Sequence, residues 1–190
     1  MHEVRIHGRG GQGVVLASKI LAKALVEEGQ FVSAVPQFGF ERRGAPVVAY
    51  LRYDEAELRA LTNIYDPDCV ICLDPTVSRS VDIFAGLKTD GTLVQTSAKP
   101  VAEVTPELPE TAKRLGLCNA VAIAMEIFGR PITNSIMLGA YARTTGDVSL
   151  EALQNGFQSV ALRDAGLDQN MQAIRRGYDE TSVHQLNGSA

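Results

Sequence analysis

Apolar and polar positions change period along this chain, and the change divides it into a front half and a back half. Glu3 to His7 and Phe31 to Val35 are short strand-like runs. Between them, from Val14 to about Glu28, Val14, Val15, Ile20, Leu21, Ala24 and Leu25 fall on one helical face, with Lys19, Lys23 and Glu27 opposite. Gly29 marks the end of that helix. Val47 to Tyr53 alternates as a strand, and Asp54 to Leu61 reads as a short helix. Cys69 to Leu73 is continuously apolar, as a strand buried on both faces is. Ser78 to Leu87 reads as a helix, and Thr92 to Gln95 as a strand after the Asp90-Gly91 turn.

Past residue 100 the strand signals fade. Thr105 to Leu115 reads as a helix with Pro109 in its first turn. Leu117 to Phe128 is a strongly apolar helix, and Asn134 to Thr144, Leu150 to Val160 and Leu167 to Tyr178 are three more. Ser149 is placed as an N-cap. Alternating β and α followed by helices predicts an α/β fold: a three-layer α/β/α sandwich with a Rossmann-like start and a helical C-terminal part. Residues 1–178 read as one domain, and Asp179 to Ala190 as a polar tail, either disordered or a docking arm.

Composition narrows this little. The 190 residues are 45% hydrophobic, enough for a sizeable core, and a net charge of −4 gives no reason to expect a nucleic-acid surface. No apolar run has the length of a membrane span, and Met1-His2-Glu3-Val4-Arg5 lacks a signal-peptide pattern, so the cytoplasm is the default compartment. Cys69 and Cys72 form a C-x-x-C inside a strand. Residues three apart on a strand face opposite ways, so the pair does not converge on a metal. With Cys118 they read as core residues, and three thiols do not make a four-cysteine cluster.

The first candidate chemistry is Gly8-Arg9-Gly10-Gly11-Gln12-Gly13, between the first strand and the first helix. Glycines there let other groups approach the backbone, and the helix dipole favours an anion or polar partner group at that end. The spacing also fits G-x-G-x-x-G. A dinucleotide site wants an acidic residue at the end of the second strand; that strand ends at Pro36, and Glu27 and Glu28 lie in the preceding helix. Phosphate binding, a partner loop and mere tight packing stay open.

The second is the loop Pro36 to Pro46. Arg42 and Arg43 offer forked donors for phosphate or carboxylate, and Phe38 and Phe40, beside Glu41, are too apolar for an idle loop. A solvated loop with one Arg–Glu pair is the bland alternative. Loops after strands 1 and 2 of a doubly wound sheet share one edge, so the two motifs would form one anion-recognising ledge. No catalytic set assembles: His2, His7 and His184 lack metal-ligand spacing, there is no G-x-S-x-G, and Asp66, Asp68 and Asp74 sit where turns are made.

The run Arg5 to Val14, combined with Gly39-Phe40-Glu41-Arg42-Arg43-Gly44-Ala45-Pro46-Val47, resembles the gamma subunit of the 2-oxoacid:acceptor oxidoreductases, relatives of pyruvate:ferredoxin oxidoreductase. The segment Asn119 to Leu153, with Leu138-Gly139-Ala140, is similar too. The resemblance implies one non-catalytic chain of a larger assembly. Thiamine diphosphate and Mg²⁺ would sit on alpha and beta subunits, and iron–sulfur clusters on beta- or delta-type chains. The assembly would convert a 2-oxoacid and coenzyme A to acyl-CoA and CO₂, passing electrons to ferredoxin or to an NAD-linked flavin subunit. Gly8 to Gly13, Arg42 and Arg43 would then shape the coenzyme A side, with Phe38, Phe40 and Glu41 toward partners. A stand-alone nucleotide-binding protein and a purely structural scaffold are the competing readings.

Overall fold

A computed structural model describes residues 1–37, 44–59, 62–160 and 166–186. Seven strands form one sheet in the order β2-β3-β1-β4-β5-β6-β7. They are β1 (His2–Arg9), β2 (Phe31–Gln37), β3 (Pro46–Asp54), β4 (Cys69–Cys72), β5 (Gly91–Thr96), β6 (Ala112–Cys118) and β7 (Ser182–Gln185). The centre, β1-β4-β5-β6, is parallel. β3 runs antiparallel to β1, β2 antiparallel to β3, and β7 antiparallel to β6.

The helices are α1 (Val14–Glu27), α2 (Val101–Val104), α3 (Ala120–Phe128), α4 (Asn134–Thr145), α5 (Leu150–Val160) and α6 (Leu167–Asp179). All but α2 contribute to the larger core, where Ile6, Leu51 and Ile71 of the sheet meet Leu21, Met137, Tyr141 and Phe157. The opposite face is covered more thinly. Val70, Leu93, Leu115 and Leu117 pack under Leu87, Val104 and Phe84, from short turns and α2. The α/β layering expected from the sequence is therefore present, with layers of unequal weight.

Four expected helices and the tail differ. Asp54 ends β3, and residues 55–59 are not helical; Ala60 and Leu61 lie outside the described residues. Just beyond this stretch Arg52, 4% exposed on β3, bonds Glu3 and draws in the carbonyls of Thr62 (2.5 Å) and Asn63 (3.0 Å). Ser78 to Leu87 is not a helix either. A 3₁₀ turn spans Pro75–Arg79, and Arg5 of β1 takes the Ile83 carbonyl at 3.0 Å and the Ala85 carbonyl at 2.5 Å. A buried guanidinium must be given acceptors, and both loops bend to supply them.

Thr105 to Leu115 holds only a 3₁₀ turn, Thr105–Glu107, before β6 begins at Ala112. Pro106 and Pro109 remove two backbone donors, and Gly116 lets β6 lie against Thr144 of α4. The following helix accordingly starts at Ala120, capped by Asn119 Oδ1 accepting from the Ala122 N–H, so Leu117 and Cys118 belong to the strand. The tail is neither disordered nor a free arm as far as Leu186. It supplies β7, and the Leu186 N–H donates to the Lys113 carbonyl at 2.7 Å. The cysteines lie as the alternation requires: Cys69 in the larger core and Cys72 in a separate cluster on the other face. Burial pushes the Cys72 thiol up to about 12.

Two helix crossings depend on glycine. A Cβ at Gly139 of α4 would land on the Ile174 carbonyl, and one at Gly177 of α6 on the Ile136 carbonyl. Replacing Gly177 by Ala should force α4 and α6 apart and cost about 1–3 kcal/mol, a Tm lower by roughly 3–10 °C in a thermal melt. An unchanged Tm would show that the crossing tolerates the methyl group.

His7 is 5% exposed and its Nε2 has no partner. Burial, then the Arg5 charge, push its pKa down to about 4, with Asp82 opposing. The unfolded chain therefore takes up this proton first as pH falls. The stability held by the neutral ring is complete above pH ~6.5 and drains away toward pH 4. Urea unfolding at pH 7 and pH 5 should show about 2 kcal/mol lost, with much less lost in His7→Leu. Equal losses in both proteins would remove His7 as the cause.

Candidate functional site

The site is built where β1 and β4 diverge. From the end of β1 the chain enters α1 on the larger-core face, and from the end of β4 it turns into Pro75–Arg79 on the other. A crevice outside the carboxyl ends of two such strands is where open α/β sheets bind ligands. Gly8 to Gly13 forms one wall. A Cβ at Gly8 would lie 2.7 Å from Val14 Cγ2 and 3.1 Å from Gln12 Oε1, so the turn closes only on glycine. Gly11 and Gly13 hold left-handed φ of 91° and 77°.

Gln12 fills this turn from within. Its Oε1 accepts from the Arg9 N–H at 2.7 Å, and its Nε2 donates to Asp74 Oδ2 at 2.8 Å. The Arg9 guanidinium reaches across the crevice. Its Nε donates to Thr76 Oγ1 at 3.0 Å, Nη2 to the Thr76 carbonyl at 2.8 Å, and Nη1 to the Gly44 carbonyl at 2.9 Å. Asp74 lies 3.4 Å from Arg9 Nε. Burial raises the Asp74 pKa, but hydrogen bonds from Thr76 and Gln12 and the Arg9 charge outweigh it and leave the carboxyl below its ordinary range. Arg9 and Gln12 thus tie β1 to β4.

The open chemistry is in the first turn of α1. No side chain caps this helix and no acidic residue lies in its first turn. Its leading N–H groups and the positive end of its dipole point into the crevice. Asn134, at the start of α4, packs against Gly13, where a Cβ would fall 2.5 Å from Asn134 Nδ2. It is 4% exposed and its Oδ1 is unpartnered. The sequence reading missed Asn134; an Asn opening an apolar helix reads only as a cap.

The two motifs meet. The Gly10 N–H donates to the Ala45 carbonyl at 2.8 Å, and the Gly44 N–H to the Gly10 carbonyl at 3.1 Å. β2 and β1 run the same way, both antiparallel to β3 between them, so their carboxyl ends share an edge as expected. Phe38, Phe40, Glu41, Arg42 and Arg43 lie outside the described residues. Beside β1 lie β3, which begins at this edge with Pro46, and β4, whose following carboxylate, Asp74, is engaged by Gln12, Thr76 and Arg9.

The histidines are scattered. His2 stacks on Tyr53 (centroids 5.2 Å apart), His7 lies under the thin layer, and His184 is on β7. Tyr53 and Tyr141 hydroxyls both donate to Asp147 Oδ2, a network that joins β3 to the end of α4. Among the described residues no group of three His, Cys, Asp or Glu is placed to hold a metal, and no helix is long and apolar enough to cross a membrane.

Residues 3–180 match the family model described as pyruvate ferredoxin/flavodoxin oxidoreductase. The chain is 58% identical to the gamma subunit of the NADH-dependent phenylglyoxylate dehydrogenase of Aromatoleum evansii, over 98% of this chain and 97% of that one. It is 45% identical to the common gamma subunit of the pyruvate/ketoisovalerate oxidoreductases of Pyrococcus furiosus, over 98% and 100%. The crystal structure of the pyruvate oxidoreductase subunit PORC from Thermotoga maritima superimposes with a TM-score of 0.83 at 36% identity, over 97% and 98% of the two chains. The chain belongs to the pyruvate ferredoxin/flavodoxin oxidoreductase family, as a gamma-type subunit of a multi-subunit 2-oxoacid oxidoreductase.

Proposed function

We propose that this chain docks on thiamine-diphosphate-bearing alpha and beta subunits, with a delta-type chain, in a cytoplasmic complex. That complex oxidatively decarboxylates a 2-oxoacid with coenzyme A to acyl-CoA, CO₂ and reduced acceptor. The observation that carries this reading is the pair of backbone bonds between Gly10 and Gly44-Ala45. They hold the uncapped start of α1 beside the segment that immediately follows Arg42-Arg43 in the chain. Main-chain N–H groups at a helix start and a guanidinium pair suit the phosphates of coenzyme A. Phe38, Phe40 and Glu41 then meet the partner chains.

Iron–sulfur clusters do not fit this chain's thiols. Cys69 and Cys72 are buried on opposite faces and Cys118 is 1% exposed, so clusters are assigned to the partners. Identity of 58% to a phenylglyoxylate dehydrogenase subunit makes phenylglyoxylate the first substrate to test, with NAD and ferredoxin as the acceptors to compare.

The double variant Arg42→Ala/Arg43→Ala, in the assembled complex, should raise the KM for coenzyme A at least about tenfold, since hydrogen bonds to charged groups contribute about 1.5–3 kcal/mol each. Reduction of the complex by 2-oxoacid alone should stay unchanged. An unaltered KM in an intact complex would reduce the loops to scaffold, and a 2-oxoacid oxidised by the isolated chain would end the subunit reading. Gln12→Ala should lower the chain's own Tm by roughly 3–10 °C, because two bonds that close the glycine turn are lost. A Tm within a degree of wild type would show the turn closing without it.

A further inference from the structure

A second cavity lies beyond the carboxyl end of β5, on the sheet face opposite α1. It has a volume of about 370 Å³, within the range of small-molecule pockets. Its floor is Gln95, which is 7% exposed. The register puts Gln95 beside Cys72 and on the same face as Leu93, so its amide is aimed into the cavity rather than into the larger core. Among the described residues no side chain or backbone group bonds that amide. The amide opens into the cavity rather than being sealed in protein, so a ligand there can exchange bonds with it in place of water.

The walls define the ligand. Phe84, Leu108 and Pro75 are apolar, while Asp82 and Glu107 bring carboxylates. Asp82 Oδ1 accepts from the Phe84 N–H, and Glu107 meets Lys99 at 3.2 Å; each carboxylate keeps a second oxygen for a donor. Asp82, without an ion pair among the described residues, repels a phosphate, and both carboxylates can accept from ribose hydroxyls. A glutamine amide offers N–H and C=O side by side, the pair that matches N7 and N6 of adenine. An aromatic ring suits the face of a base.

The geometry points to a site for an adenine nucleoside with an unphosphorylated ribose, its base edge on Gln95 and its hydroxyls toward Asp82 and Glu107. Coenzyme A is a poor occupant, because its ribose carries a 3′-phosphate. The cavity shares the Pro75–Arg79 turn with the glycine-turn edge, but its ligand chemistry differs and it does not rest on the function proposed for that edge. A free nucleoside and a 5′-nucleotide share this chemistry.

Titrating the isotope-labelled full chain with adenosine and recording amide shifts tests the assignment. Saturable shifts are expected at Ser80, Phe84, Gln95 and Leu108. Gln95→Leu should weaken adenosine at least about tenfold. Gln95→Glu, which keeps the shape and loses the N–H donor, should do the same and covers the case in which the Leu variant fails to fold. AMP should compete for the same shifts if the 5′ end faces solvent, whereas adenosine 3′,5′-bisphosphate should bind there at least about tenfold more weakly. Absence of saturable shifts at these residues, equal affinity in a folded Gln95 variant, or equal binding of the bisphosphate would overturn the proposal.

Discussion

Two guanidinium groups set the course of the chain over the thinly covered face of the sheet. Arg5 on β1 and Arg52 on β3 are 7% and 4% exposed, and neither has a helix above it. A permanent charge in that position survives only with acceptors around it. Thr62 and Asn63 give their carbonyls to Arg52, and Ile83 and Ala85 give theirs to Arg5. Glu3 sits between, bonding Arg52 at 2.8 Å and approaching Lys88 at 3.5 Å. The second layer is thus organised by polar demand, the first by apolar burial.

This contrast explains what the sequence made legible. α1, α5 and α6 are readable because their burial follows a helical period that local sequence displays, whereas α4 is buried all round and is readable by its length. β4 was readable because burial on both faces leaves an unbroken apolar run. The expected helix at 78–87 failed where Arg5 took the Ile83 and Ala85 carbonyls, since a hydrogen bond across 80 residues leaves no trace in local pattern; beyond 54–61, Arg52 holds the Thr62 and Asn63 carbonyls. β6 and β7 were hidden for a related reason. Arg114 and Gly116 break the apolar alternation of β6, and β7 is four mostly exposed residues that exist as a strand through pairing alone.

The candidate edge was legible in a different sense. Gly8, Gly11 and Gly13 announced a turn that no other residue closes, and the structure shows which neighbours enforce it. The coming together of Gly10 with Gly44-Ala45 followed from the strand directions. The internal use of Arg9 and Gln12 was not visible, because Asp74 and Thr76 lie more than sixty residues away. Asn134 and Gln95 escaped notice as uncharged residues inside otherwise ordinary elements.

The plugging of the glycine turn by Gln12 has a consequence for assembly. Arg9, Gln12, Asp74, Thr76 and Gly44 already hold one another before any other chain arrives. The conformational entropy of ordering that surface is spent during folding, so association with a companion protein forfeits little further freedom there. Such a preorganised face favours long-lived complexes, in which recognition is governed by slow departure more than by rapid encounter.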